Sequence, residues 1–143
     1  MLAYFIASQL QQAGIRVQPE TMQGKALREL MIKGKAAFFR ASWIADYPDP
    51  ENYLVLFYSK AGSPPNYTRY KNKKFDELYE ASFELVNDSL RYDTYLKMEQ
   101  TIMEDAPVIP LYYDQSVRLV QKNVNGLVNN PKNMLILKHV SFQ

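Results

Sequence analysis

An α/β fold is the prediction for this 143-residue chain, and three patterns carry it. Helical and extended periodicities alternate over residues 2–42, two amphipathic helices stand back to back in the middle, and the last third breaks into short apolar runs punctuated by turn residues. In the opening, Leu2, Phe5, Ile6, Leu10 and Ala13 keep helical spacing and Gly14 stands where a C-cap belongs, before a short alternating stretch at 15–17. A second helix follows on Leu27, Leu30 and Met31, with Gly34 as its stop. Residues 36–42 then read as a strand, apolar enough at Ala37, Phe38, Phe39 and Ala41 to be covered on both faces.

The texture changes at Trp43. Pro48 and Pro50 lack backbone donors and bias the residues before them away from helix, so 43–50 is expected to be a stiff loop. A helical patch at 52–58 leads to a turn-rich stretch at 62–66. Phe75, Leu78, Tyr79, Ser82, Leu85 and Val86 then trace a helix capped by Asn72. Tyr95, Met98 and Ile102 trace another, which Asp88 can cap and Ala106-Pro107 ends, and the two form an αα-hairpin. Strands are expected at 108–113, 117–120 and 134–140, with a turn at Asn125-Gly126 and a loop through Pro131.

Composition removes whole classes of chemistry. There is no Cys and one His, His139, so thiolate or paired-imidazole metal sites and thiol nucleophiles are excluded. No metal and no cofactor is expected, because the five glycines form no phosphate-cradling motif. The net charge of +2 does not argue for a polyanionic partner. The basic run Arg69-Tyr70-Lys71-Asn72-Lys73-Lys74 is answered by four acids in the next ten residues, so it reads as a solvated helix lead and no nucleic acid is expected. No run is long and apolar enough to span a bilayer. A chain that opens directly in a helix at Met1, without a leader, is expected to be a fragment.

The loop at 43–50 is the candidate site. It joins the only Trp to Tyr47 and to the carboxylates Asp46 and Asp49, at the C-terminal end of an expected strand, where open α/β sheets place ligands. A carboxylate on a proline-stiffened loop beside an indole suits a cationic amine with an apolar neighbour. Arg40, just upstream, could pair with a ligand carboxylate or with a nearby acid. An alternative takes Asp46 and Asp49 as the acid and base of a carbohydrate-active module with aromatic walls. A third reading, an interaction domain without a small ligand, expects Asp46 and Arg40 to be salt-bridged internally.

Five stretches carry a family resemblance: QLQQAGIRV, FFRASWIADYPDPENYL, NYTRYKNKKFDELYEAS, RYDTYLKMEQTIMEDAPVIPLYYDQSVRLV, and NVNGL with NMLILKH. In order and spacing they resemble the C-terminal portion of the family 5 extracellular solute-binding proteins, the dipeptide and oligopeptide receptors of ABC importers. The resemblance implies the second lobe of a type II periplasmic-binding-protein fold, a mixed sheet flanked by helices, in an extracytoplasmic receptor without catalytic residues. Residues 1–115 would supply the substrate-binding lobe, incomplete at its N-terminus. Residues 116–143 would cross the hinge and return as strands of the first lobe.

The same resemblance assigns roles. Asp46, in W-x-x-D-Y, would take a peptide's α-amino group, and Arg40, three residues before the Trp, would meet its carboxylate. Backbone groups of Ser42 and Ile44 would pair with an extended ligand as an added strand, and Trp43 and Tyr47 would wall the pocket. The implied partners are a small peptide and an ABC permease, with an oligosaccharide as the alternative ligand. The membrane is reached only through a lipid anchor outside these residues. Without the first lobe, the tail is expected to fold back, stay loose or pair with a second copy as a homodimer.

Overall fold

The computed structural model describes residues 2–130 and 133–143; Met1 and Pro131, on which the expectations of the start and of the last loop bear, lie outside them. The described chain forms two compact units, 1–38 and 39–143.

The first unit holds α1 (Leu2–Gln12) and α2 (Gly24–Ile32). In α1 the half-buried stripe is Leu2, Ile6 and Leu10, while Phe5 points to solvent at 61% exposure. Both helices stop by the same device. Gly14 (φ +82°) and Gly34 (φ +68°) adopt the left-handed conformation that a Cβ disfavours, and the next residue bonds back across the turn, Ile15 N–H to Leu10 O at 2.9 Å and Lys35 N–H to Leu30 O at 2.8 Å. Met31 is the buried anchor of α2.

The second unit is built on a helical hairpin. Helix α3 (Glu51–Leu54) runs on through 3-10 turns at Val55–Phe57 and Ser59–Ala61, and α4 (Lys73–Ser82) packs along α5 (Asp88–Asp105). Phe75, Tyr79 and Ser82 face Thr94, Tyr95, Met98, Thr101 and Ile102 at helical spacing, and Leu54 closes the core. Each large side chain buried there contributes about 1.5–3 kcal/mol. Rings of Phe57, Tyr70 and Phe75 meet edge to face, and Tyr58 stacks on Tyr79 at 4.5 Å between centroids.

The caps are specific. Asn72 Oδ1 accepts from Phe75 N–H at 3.1 Å, as the sequence predicts. For α5 the cap is Asn87, accepting from Leu90 N–H at 3.2 Å, whereas Asp88, the expected cap, is the first helical residue and pairs with Arg91. Helix α4 ends at Ser82, so Leu85 lies beyond it and Val86 is 98% exposed, a correction to the longer helix expected. Ala106 closes α5 at φ +49°, with Pro107 preventing continuation.

The sheet differs most from expectation. Among the described residues the only ladder is a two-residue antiparallel one, β1 (Val124–Asn125) with β2 (Ser141–Phe142), pairing Val124 with Phe142 and Asn125 with Ser141. The segments 15–17, 36–42, 108–113, 117–120 and 134–140 form no strand. A strand exists only through its neighbour, and no described segment lies alongside these to complete a ladder. Gly126 (φ +78°) brings the turn so close to the second segment that a Cβ there would stand 1.9 Å from His139 O.

Candidate functional site

The loop between residue 42 and α3 is held by its own polar atoms rather than by a sheet. Asn52, 4% exposed, sits in α3, where the backbone bonds of Asn52, Tyr53 and Leu54 to Asp49 and Pro50 carbonyls fix it. Its Oδ1 accepts two bonds, from Trp43 Nε1–H at 2.9 Å and from Asp46 N–H at 3.0 Å. Asp49 Oδ1 accepts from Glu51 N–H at 2.9 Å, and its Oδ2 receives Arg91 of α5 at 3.0 Å. Arg91 lies over the Tyr92 and Tyr95 rings, 5.6 and 5.8 Å from their centroids, and so ties the loop to the hairpin.

Glu51 is buried at 7% exposure, and its carboxylate accepts from the hydroxyls of Tyr47 and Tyr79. That acceptor raises the Tyr47 pKa above its ordinary value, against a smaller lowering by the Asn52 side chain. Burial first, then Glu51, pushes Tyr79 well up. Both phenols therefore stay protonated donors at neutral pH.

The residues singled out in the sequence fall into distinct environments. Asp46 is exposed, and among the described residues its carboxylate has neither an ion pair nor a hydrogen bond. Arg40 is exposed and donates to Tyr112 Oη at 3.0 Å, so the internal Asp46–Arg40 salt bridge expected of a ligand-free interaction domain does not form. Ser42 and Ile44 are exposed, Ile44 at 75%, and among the described residues no hydrogen bond occupies their backbone groups. Trp43 is half-buried by the bond to Asn52, and Tyr47 is 43% exposed with its hydroxyl turned to Glu51. Arg40 is not on a strand, a correction to the strand expected over residues 36–42.

A cavity of ≈ 320 Å³ lies behind the loop, with Tyr47, Asp49, Glu51, Phe83, Arg91 and Tyr95 among its walls. Of the six expected site residues only Tyr47 reaches it, and its charged groups are already paired. Asp46, unpaired among the described residues, lies on the exposed part of the loop and does not line this cavity. Asn52, Glu51 and Arg91 were not singled out from sequence. Asn52 and Glu51 do show one signal, polar residues inside a short apolar helical patch that must bury one face. Among the described residues no cluster of His, Asp or Glu suits a metal ion.

The chain is similar to known bacterial binding proteins. Residues 1–65 match the family described as bacterial extracellular solute-binding proteins, family 5, middle. The chain is 30% identical over 133 residues to the periplasmic oligopeptide-binding protein OppA of Salmonella typhimurium, which covers 88% of this chain and 24% of the relative. It is 31% identical over 134 residues to the periplasmic murein peptide-binding protein MppA of Escherichia coli, covering 88% of this chain and 24% of that one. The unliganded open form of a murein tripeptide-binding MppA superposes with a TM-score of 0.80 at 26% identity, over 98% of this chain and 27% of that structure.

Over 98% of its length the chain thus has the fold of part of a periplasmic binding protein, the type II binding-protein fold. The chain is similar to the family 5 bacterial extracellular solute-binding proteins, whose members are binding proteins rather than enzymes. It spans about a quarter of the length of the curated relatives it matches.

Proposed function

We propose that this chain is part of the ligand-binding surface of an extracytoplasmic peptide receptor that delivers its ligand to an ABC permease, with the Asp46 carboxylate taking the ligand's amino group. The observation that carries this reading is the contrast within residues 46–51: Asp49 and Glu51 are bound to Arg91 and to two tyrosines, while Asp46 is left exposed and unpaired among the described residues. A carboxylate kept free beside a half-buried indole offers an ammonium both a counter-charge and an apolar wall. The free backbone groups of Ser42 and Ile44 support pairing with an extended ligand, and Arg40, spending one donor on Tyr112, keeps others for a ligand carboxylate.

The carbohydrate-active alternative needs Asp49 as a second working carboxylate. Asp49 is committed to Arg91 and to the start of α3, which leaves that reading one carboxylate short. The test is titration calorimetry on the intact receptor. Asp46→Ala is expected to weaken a free-amine peptide by about 2–5 kcal/mol, because closure would bury an ammonium without its partner. Unchanged affinity in that variant would remove Asp46 from the site, and preference for an oligosaccharide over every peptide tried would favour the alternative ligand.

A further inference from the structure

We propose that Asn52 is the positioning residue of this site, gathering the Trp43 indole and the Asp46 backbone on one buried acceptor and so setting where the Asp46 carboxylate stands. The proposal rests on the reading of Asp46 as the amine acceptor and deepens it.

Asn52 is unlike the other asparagines of the second unit that shape the backbone. Asn72 and Asn87 each cap their own helix, accepting from the N–H three residues on. Asn66, 3% exposed, staples a turn by bonding Tyr58 O, Tyr70 O, Tyr70 N–H and Thr68 Oγ1. The Asn52 oxygen instead reaches back out of its helix to residues six and nine positions earlier. Those two residues are the apolar wall and the charge of the proposed site.

The segment they lie on has no helix or ladder of its own, and among the described residues Asp46 N–H has no other acceptor. One side-chain oxygen therefore sets the spacing between indole and carboxylate. Both bonds are part-buried, and a part-buried N–H stripped of its acceptor carries a desolvation cost unless the chain moves to let it find another. Because Asn52 is buried, it acts on a ligand through Asp46 and Trp43 rather than by contact.

The tests need two readouts. Trp43 is the only Trp, so the 143-residue chain has one indole N–H resonance; it is expected to exchange slowly with water, to exchange freely in Asn52→Leu, and to regain protection in Asn52→Asp, which keeps an acceptor oxygen. In the intact receptor, Asn52→Leu is expected to weaken trialanine at least tenfold. It should change N-acetyl-trialanine less than twofold and add less than twofold to the loss already caused by Asp46→Ala. A merely structural Asn52 would lower both ligands alike and add its full loss in the double variant, which would overturn the proposal, as would a freely exchanging indole proton in the unsubstituted chain. If Asp46→Ala binds trialanine as the unsubstituted receptor does, the Asp46 assignment falls on its own, and the indole measurement decides Asn52 separately.

Discussion

Tyrosine hydroxyls do much of the fastening in the second unit, and their burial sets an alkaline limit on its stability. Tyr70 donates to Asp105 at 2.6 Å, and burial together with that acceptor pushes its pKa from 10.0 up to about 12. Tyr79, Tyr47 and Tyr95 are shifted the same way. For Tyr70 the unfolded chain releases the proton near pH 10 and the folded chain holds it, so its contribution is complete below pH 10 and is lost as pH rises from 10 towards 12. The urea midpoint should therefore hold steady to about pH 9.5 and fall above it, and Tyr70→Phe should flatten part of that fall. A midpoint flat through pH 11 would contradict the shifts. The long-range partnerships could not be read from spacing, since Tyr70 and Asp105 are 35 residues apart and Glu51 and Tyr79 are 28 apart. Asp46 and Trp43 could be read, because a single loop of eight residues holds them both.

At the level of the helices, local chemistry and observed ends agree where the ending is a backbone matter. Gly14, Gly34 and Asn72 do what their positions predict, because positive φ and short side-chain bonds involve only near neighbours. Ala106 is the exception, an L-residue with a Cβ in the left-handed region that closes α5. Ala106→Gly relieves that crowding and should raise stability by about 0.5–1 kcal/mol, the usual size of such an exchange at a left-handed site after its entropic cost. Thermal denaturation of the two chains checks it, and a lowered Tm would mean that unfolded-state entropy outweighs the strain. The choice of Asn87 over Asp88 as cap was not legible, since both are good caps and Arg91, one turn on, draws Asp88 into the helix.

For the molecule as a whole, order is unevenly distributed. The α4–α5 hairpin carries the buried cluster, whereas Leu111, Tyr113, Val117, Leu119 and Leu135 are 47–97% exposed and join no ladder. Where the tail is held, it is by small polar clips, Arg118 to Asn133 at 2.7 and 2.8 Å, and by the short β1–β2 pairing. Backbone amides of 109–123 should accordingly exchange with solvent orders of magnitude faster than those of α4 and α5 when the 143-residue chain is followed by hydrogen exchange. Protection of that stretch equal to the hairpin's would show pairing beyond the ladder described. Those same alternating residues are what made the tail read as strands: their pattern records a fitness for pairing, and pairing needs a second segment.

By itself the amino-acid order determined the helices, the ends at Gly14, Gly34 and Asn72, the proline-stiffened loop with Asp46 and Trp43 on it, and the resemblance to the family 5 solute-binding proteins. These depend on interactions within a turn or two, or on motifs contiguous along the chain. Only the tertiary structure decided which of three neighbouring carboxylates stays free, that Arg91 claims Asp49, that tyrosines from two elements claim Glu51, and that Asn52 holds the loop. Each of those outcomes is a competition among several possible partners, some near and some 28 or 42 residues away, settled by which of them folding brings within hydrogen-bond reach.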